Sequence, residues 1–151
     1  MKADSKHEKD RITAGTMVRR AGVRMTGQRR AVLEVLINSD DHPTASQIYE
    51  RAKELRPGIS LATVYNCLET MSRAGIINQL HFDTGSSRYC PNLHQHVHFL
   101  DEETHSVTDV LLKPGTKLEE VFDLPAGACI RDIEACLRGS LRTAIHISKE
   151  P

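Results

Sequence analysis

Three hydroxyl residues, Thr26, Thr44 and Ser60, each open a stretch whose apolar residues recur at helical spacing, and the third stretch gives way at Gly75 to a period of two. That succession constrains the fold more than any other feature. Thr26 precedes Val32, Leu33, Val35, Leu36 and Ile37. Thr44-Ala-Ser-Gln47 has the capping-box spacing and leads into Ile48, Tyr49, Ala52 and Leu55. Pro57-Gly58 reads as a turn, after which Ser60 caps Leu61, Val64, Tyr65, Leu68 and Met71. Ile76 to Phe82 then reads as a strand, Asp83 to Ser87 as a turn, and Arg88 to Cys90 as the return strand. Three helices and a hairpin are the order of a winged helix-turn-helix, in which the last helix before the wing, residues 61–74, enters the DNA major groove. A short helix from Asp10 to Ala21 precedes them, ended by Gly22, and the charged residues 1–9, without an apolar period, are expected to be disordered.

The remaining chain alternates. A strand is expected over His96–Leu100, a polar turn over Asp101–His105, a strand over Ser106–Leu112, a short helix near Lys117–Phe122 and a strand over Cys129–Arg138. The expected class is therefore α+β: a winged-helix DNA-binding domain over residues 1–90 and a small α/β domain over 91–151. A unit of about 60 residues is marginal alone. We expect it to dimerise, and two-fold symmetry would suit a palindromic double-stranded operator.

The net charge of the 151 residues is zero, which excludes a uniformly basic tail and an acidic disordered chain. The zero is a cancellation. Residues 1–83 hold thirteen Lys or Arg against ten Asp or Glu, net +3, and the rest holds seven against ten, net −3. Arg11, Arg19, Arg20, Arg24, Arg29 and Arg30 follow one another with no intervening acid, a surface suited to phosphates. With aromatics at 4% and no Trp, the core must be aliphatic. No apolar run approaches the roughly 20 residues of a membrane span, and the first ten residues carry no signal-peptide core, so a cytoplasmic protein is expected, without a membrane partner. None of Cys67, Cys90, Cys129 and Cys136 forms a CxxC pair. Each is a small buried hydrophobe, a ligand or a sensor. Cys67 on the third amphipathic stretch is expected to pack. Cys129 and Cys136, on opposite faces of one strand, are not expected to share an ion.

The most informative stretch is His94-Gln-His96-Val-His98, which holds three of the eight histidines. On a strand His96 and His98 share a face, with Val97 turned into the core, and Asp109 on the next strand can face them. Two imidazoles and a carboxylate suit Zn(II), Fe(II) or Mn(II). Spacing alone leaves open whether they bind an ion, are solvated strand residues, or form a two-histidine, one-carboxylate triad of a non-haem metalloenzyme. Nothing around them reads as a substrate pocket or general base, so an enzyme is not expected.

Three further patterns occur in order: Gly22-Val-Arg24-Met-Thr26-Gly-Gln28-Arg29, His42-Pro-Thr44-Ala-Ser-Gln-Ile48-Tyr49 and Ser60-Leu-Ala62-Thr63-Val64-Tyr65-Asn66. With the HxHxH run and Thr108-Asp109-Val110 they resemble the ferric uptake regulator superfamily of metal-dependent bacterial repressors, over about residues 10–140. The resemblance implies a regulatory metal site of His42, Cys90, His96, His98 and Asp109, and an ion that fixes the angle between the two halves in the DNA-competent conformation. It implies that Arg24 reaches the minor groove and that Thr63, Tyr65 and Asn66 read bases, with Arg19, Arg20 and Ser60 as further DNA contacts.

The chain departs from the family pattern at two places. Many members hold a structural zinc with two CxxC pairs, which would fall at Asp101 and Thr104 and near Leu141 and Ala144. No cysteine stands there, so no four-cysteine zinc is expected, as in some peroxide regulators and haem-responsive iron regulators. Cys90 stands where peroxide regulators have aspartate and iron regulators commonly glutamate, whereas zinc uptake regulators often have cysteine. Thiolate, two imidazoles and a carboxylate favour zinc, with iron(II)-dependent peroxide sensing or a haem- or iron-responsive regulator as the alternative. The family's extra site would need Gln95 and Val97, which ligate poorly. A second site around His94 or His105 stays open, while His81 and His146 are expected on the surface.

Overall fold

The computed structural model describes residues 2–82, 85–91, 93–131 and 133–141, with side chains from Lys9 onward. The chain divides into two compact units, Met1–His94 and Gln95–Pro151. The division falls after His94 rather than after Cys90, because the return strand runs on to Pro91 and Leu93 packs on the first unit's core.

The first unit runs α1 (Lys2–Ala21), α2 (Gly27–Ile37), α3 (Ala45–Leu55), α4 (Leu61–Arg73), β1 (Ile77–Leu80) and β2 (Arg88–Pro91). All three expected caps form. Thr26 accepts the N–H of Arg29 at 3.3 Å, and Ser60 accepts that of Thr63 at 3.1 Å. Thr44 accepts the N–H of Gln47 at 3.3 Å while the Gln47 side chain accepts that of Thr44 at 2.8 Å, completing the capping box. Thr44→Ala should cost about 1 kcal/mol, measured as a shift in the urea midpoint of the full chain with an unchanged slope. Gly75 takes φ 71° and turns the chain out of α4, a conformation that costs glycine little. Antiparallel β1 and β2 pair Ile77 with Pro91 and Leu80 with Arg88. Asp83 and Thr84 of the expected turn lie outside the described residues.

Aliphatic side chains make the core, as the composition requires. Val32, Leu36, Ile48, Val64, Leu68, Met71, Ile76 and Ile77 are fully buried. α4 buries Val64, Cys67, Leu68 and Met71 and exposes Leu61, Ala62, Tyr65, Asn66 and Glu69, a clean helical division. Burial pushes the Cys67 thiol pKa up, as for a packing residue.

α1 corrects two expectations. It begins at Lys2, not Asp10, so the backbone of residues 2–9 is helical rather than disordered. The lack of an apolar period signals only that a segment has nothing to pack on. Lys, Ala and Glu propagate a helix that is anchored further on, here by Ala14 and Val18 in the core. The arginine run also has a counter-charge that sequence order hides. Arg11 donates to Glu34 of α2 from Nε at 3.1 Å and from Nη2 at 2.6 Å.

The second unit contains β3 (Val97–Asp101), β4 (Val107–Val110), α5 (Leu118–Val121) and β5 (Cys136–Gly139). The sheet order is β4-β3-β5, with β4 antiparallel and β5 parallel to β3. β3 keeps the expected length but starts one residue late, so His96 lies just before the strand and Asp101 ends it, while β4 and β5 are shorter than expected. Ser106–Leu112 contracts to Val107–Val110, and Cys129–Arg138 to Cys136–Gly139. Cys129 therefore lies off the strand, before which Gly127 turns the chain at φ 81°.

The Asp101–His105 segment is more than a solvated turn. Asp101 is buried, and its carboxylate accepts the Glu103 N–H at 3.0 Å and the Thr104 hydroxyl at 2.9 Å. The backbone closes from the His105 N–H to the Asp101 carbonyl at 2.8 Å, with His105 at φ 56°. The Glu103 N–H first, then the Thr104 hydroxyl, holds the Asp101 carboxyl below its ordinary value. A depressed folded pKa adds stability above the unfolded value of about 3.9, and loses it as pH falls through the folded pKa. Asp101→Asn should therefore flatten the acid limb of thermal stability below about pH 4, measured by melting the two proteins across that range.

Candidate metal centre and recognition helix

The second unit brings together three of the expected ligands. Across β3 and β4 His98 pairs directly with Asp109, and His96, just before β3, sets its ring against that of His98, the centroids 4.7 Å apart. His96 Nε2 and His98 Nε2 are 3.1 Å apart, and Asp109 Oδ1 lies 3.4 Å from the first and 3.7 Å from the second. Both imidazoles are buried and Val97 between them is buried as well, while Asp109 remains partly open to solvent. Ligands at zinc–nitrogen or zinc–oxygen distances of roughly 2.0–2.1 Å sit about 3.3–3.4 Å apart around a tetrahedron. The observed spacings of 3.1, 3.4 and 3.7 Å bracket that value, so these three donors are placed to share one divalent ion.

The first unit holds two more. A ring nitrogen of His42 and Sγ of Cys90 lie within 4.8 Å of each other, and both residues are buried. His42 takes φ 49°, left-handed for a non-glycine residue and doubly unusual directly before a proline. Its carbonyl accepts from Arg88 Nη1 at 3.1 Å, and the Tyr89 N–H donates to the carbonyl of Pro43 at 3.1 Å. These bonds hold the loop against β2. Strain kept by such supports clusters at functional sites. No local signal marked it, since the left-handed turn is imposed by β2 from outside the loop.

Other candidates stand apart. His94 and His105 are exposed and join no group of three or more metal-ligating side chains among the described residues. His81 is exposed, with Nδ1 3.1 Å from the Ser87 hydroxyl, and His146 lies outside the described residues. Cys129 and Cys136 are exposed, Cys136 pairing in register with His98.

Of the expected DNA contacts, Arg19 and Arg20 are exposed on the last turn of α1, and Arg24 is exposed in the loop before α2. Arg29 Nη1 donates to the Arg24 carbonyl at 2.7 Å, which fixes that loop. On α4, Asn66 is exposed and Tyr65 is 50% exposed, so Tyr65 is no core aromatic. The Thr63 hydroxyl lies 2.8 Å from that of Ser60, tying both to the cap.

Residues 20–124 match the ferric uptake regulator family. The chain belongs to that family. The match takes in His42, Cys90, His96, His98 and Asp109 and ends before β5. Over 92 residues the chain is 41% identical to the peroxide-responsive repressor PerR of Staphylococcus epidermidis, covering 61% of each protein. It thus spans about three-fifths of the length of the curated relatives it matches. The fold superposes on a zinc-bound manganese uptake regulator with a TM-score of 0.63 at 31% identity, covering 85% of this chain and 98% of that one. It superposes on the Vibrio cholerae ferric uptake regulator with a TM-score of 0.65 at 25% identity, covering 82% and 96%. The family's α+β fold is the one expected from the capped helices and the hairpin. No helix among the described residues is long and apolar enough to cross a membrane.

Proposed function

We propose that this ferric uptake regulator family member is a metal-dependent transcriptional repressor that binds palindromic operator DNA as a homodimer. The observation that carries the reading is the convergence of His96 Nε2, His98 Nε2 and Asp109 Oδ1 on one point. His42 and Cys90 of the first unit complete the proposed set. A divalent ion supplies a fixed charge around which donors of both units gather. It thereby favours the DNA-competent arrangement by its differential affinity for that state. Arg19, Arg20 and Arg24 would meet phosphates and the minor groove, and Ser60, Thr63, Tyr65 and Asn66 the major groove. Asn66 suits an adenine edge and Tyr65 a thymine methyl. Homodimerisation is supported by the apolar surface the second unit leaves open, Leu111, Val121, Phe122, Leu137 and Leu141.

Zinc is the proposed ion, because the Cys90 thiolate is a softer ligand than an oxygen-only or imidazole–carboxylate set provides. The test is a mobility-shift titration: zinc should induce DNA binding and a chelator should reverse it. Tight binding indifferent to chelator would remove the metal switch. Cys90→Asp should weaken the zinc response. The 41% identity to a peroxide-responsive repressor favours one second reading, iron(II)-dependent peroxide sensing. Its mark would be an oxygen atom gained by a His96 or His98 peptide after treatment with iron(II) and peroxide.

A further inference from the structure

Between the first turn of α3, the exposed face of α4 and the β1–β2 hairpin lies a groove of about 360 Å3, which includes Thr44, Ser46, Tyr65, Ser86, Ser87 and Tyr89 in its lining. Among the described residues no charged side chain lines it. It is walled by hydroxyls, and some are already engaged: Thr44 in the capping box and Ser87 with His81. Tyr89 is not. Its ring belongs to the core and the residue is only 5% exposed, yet among the described residues its phenol has no hydrogen-bond partner. A buried hydroxyl without a partner is uncommon enough to need an explanation. The first turn of α3 adds the positive end of a helix dipole.

We propose that this groove seats a backbone phosphate of the bound DNA, with the Tyr89 phenol as its principal donor and the Ser46 hydroxyl as a second. The inference rests on the repressor reading and deepens it. Tyr65 links the two, since it lines the groove from the same exposed face of α4 that is proposed to enter the major groove. A strand of the duplex borders that groove, and its phosphate oxygens accept hydrogen bonds without donating any. The seat is built from neutral donors alone. It therefore holds the duplex in position without releasing a counterion, unlike the contacts assigned to Arg19, Arg20 and Arg24.

That difference makes the test specific. The full zinc-loaded chain is used to select a duplex from a random-sequence pool, and affinities for this duplex and for an unrelated one are measured from low to moderate salt. Tyr89→Phe should weaken both by about tenfold, the loss of one hydrogen bond to a charged group, with the salt slope unchanged. Ser46→Ala should weaken both by a smaller factor. A neutral methylphosphonate placed at one phosphate per half-site should weaken the wild type by a clearly larger factor than it weakens Tyr89→Phe. Thermal melting checks that Tyr89→Phe folds, and should it not, Ser46→Ala with the methylphosphonate series carries the same comparison. Equal binding by Tyr89→Phe and wild type would mean that water alone satisfies the phenol, and would overturn the proposal. So would a loss confined to the selected duplex, or a changed salt slope. If the wild type selects no duplex at all, the repressor reading fails and the groove falls with it. If the wild type binds and the variants match it, only the groove falls.

Discussion

His98→Ala is expected to lower zinc affinity by at least about 100-fold and to abolish zinc-induced DNA binding. His98 is the ligand with the fewest substitutes. It is 4% exposed, lies 3.1 Å from His96 Nε2, and pairs directly with Asp109 across the sheet. Removing its imidazole leaves His96 and Asp109 without the third donor of their unit, and solvent is poorly placed to supply one at a buried position. Competition with a chromophoric chelator reads the affinity and a mobility shift reads the consequence. Melting of the apo protein separates loss of a ligand from loss of fold. Affinity unchanged from wild type would remove His98 from the site, and with it the three-donor convergence on which the functional reading rests.

Leu36→Ala should destabilise the first unit by about 3 kcal/mol, within the range for large-to-small core substitutions. Leu36 is 0% exposed on α2, the helix that packs against both α3 and α4. The cavity would open where α2 packs against α3 and α4. For a unit of this size the melting temperature should fall by on the order of 15 °C, followed by circular dichroism. Zinc affinity of the variant, measured well below its melting temperature, should change far less. That contrast distinguishes a weakened framework from a damaged site.

What could be read without coordinates was what is local. Thr26, Thr44 and Ser60 cap the helices they precede because capping is settled within four residues. The His96–His98 pair was legible from its spacing, although only His98 stands on β3 and His96 lies just before it. What needed the structure depends on distant partners. The Arg11–Glu34 pair joins two helices, and no spacing rule could have matched them. The left-handed turn at His42 is imposed by Arg88 and Tyr89. The Tyr89 phenol was invisible for a similar reason, since a tyrosine in a strand pattern reads as a core ring until its surroundings are known.

The parallel pairing of β5 with β3 bears on how the chain comes to be folded. β3 meets β4 across a short turn, but reaches β5 only after the intervening residues 111–135 have been closed into a loop. Such closure carries an entropic cost before any contact rewards it, and non-local parallel pairing is slow for that reason. During synthesis from the N-terminus the first unit can complete its fold while β5 is still unmade. β3 then waits with one open edge until residues 136–139 emerge. The slowest step in maturation should accordingly belong to the second unit.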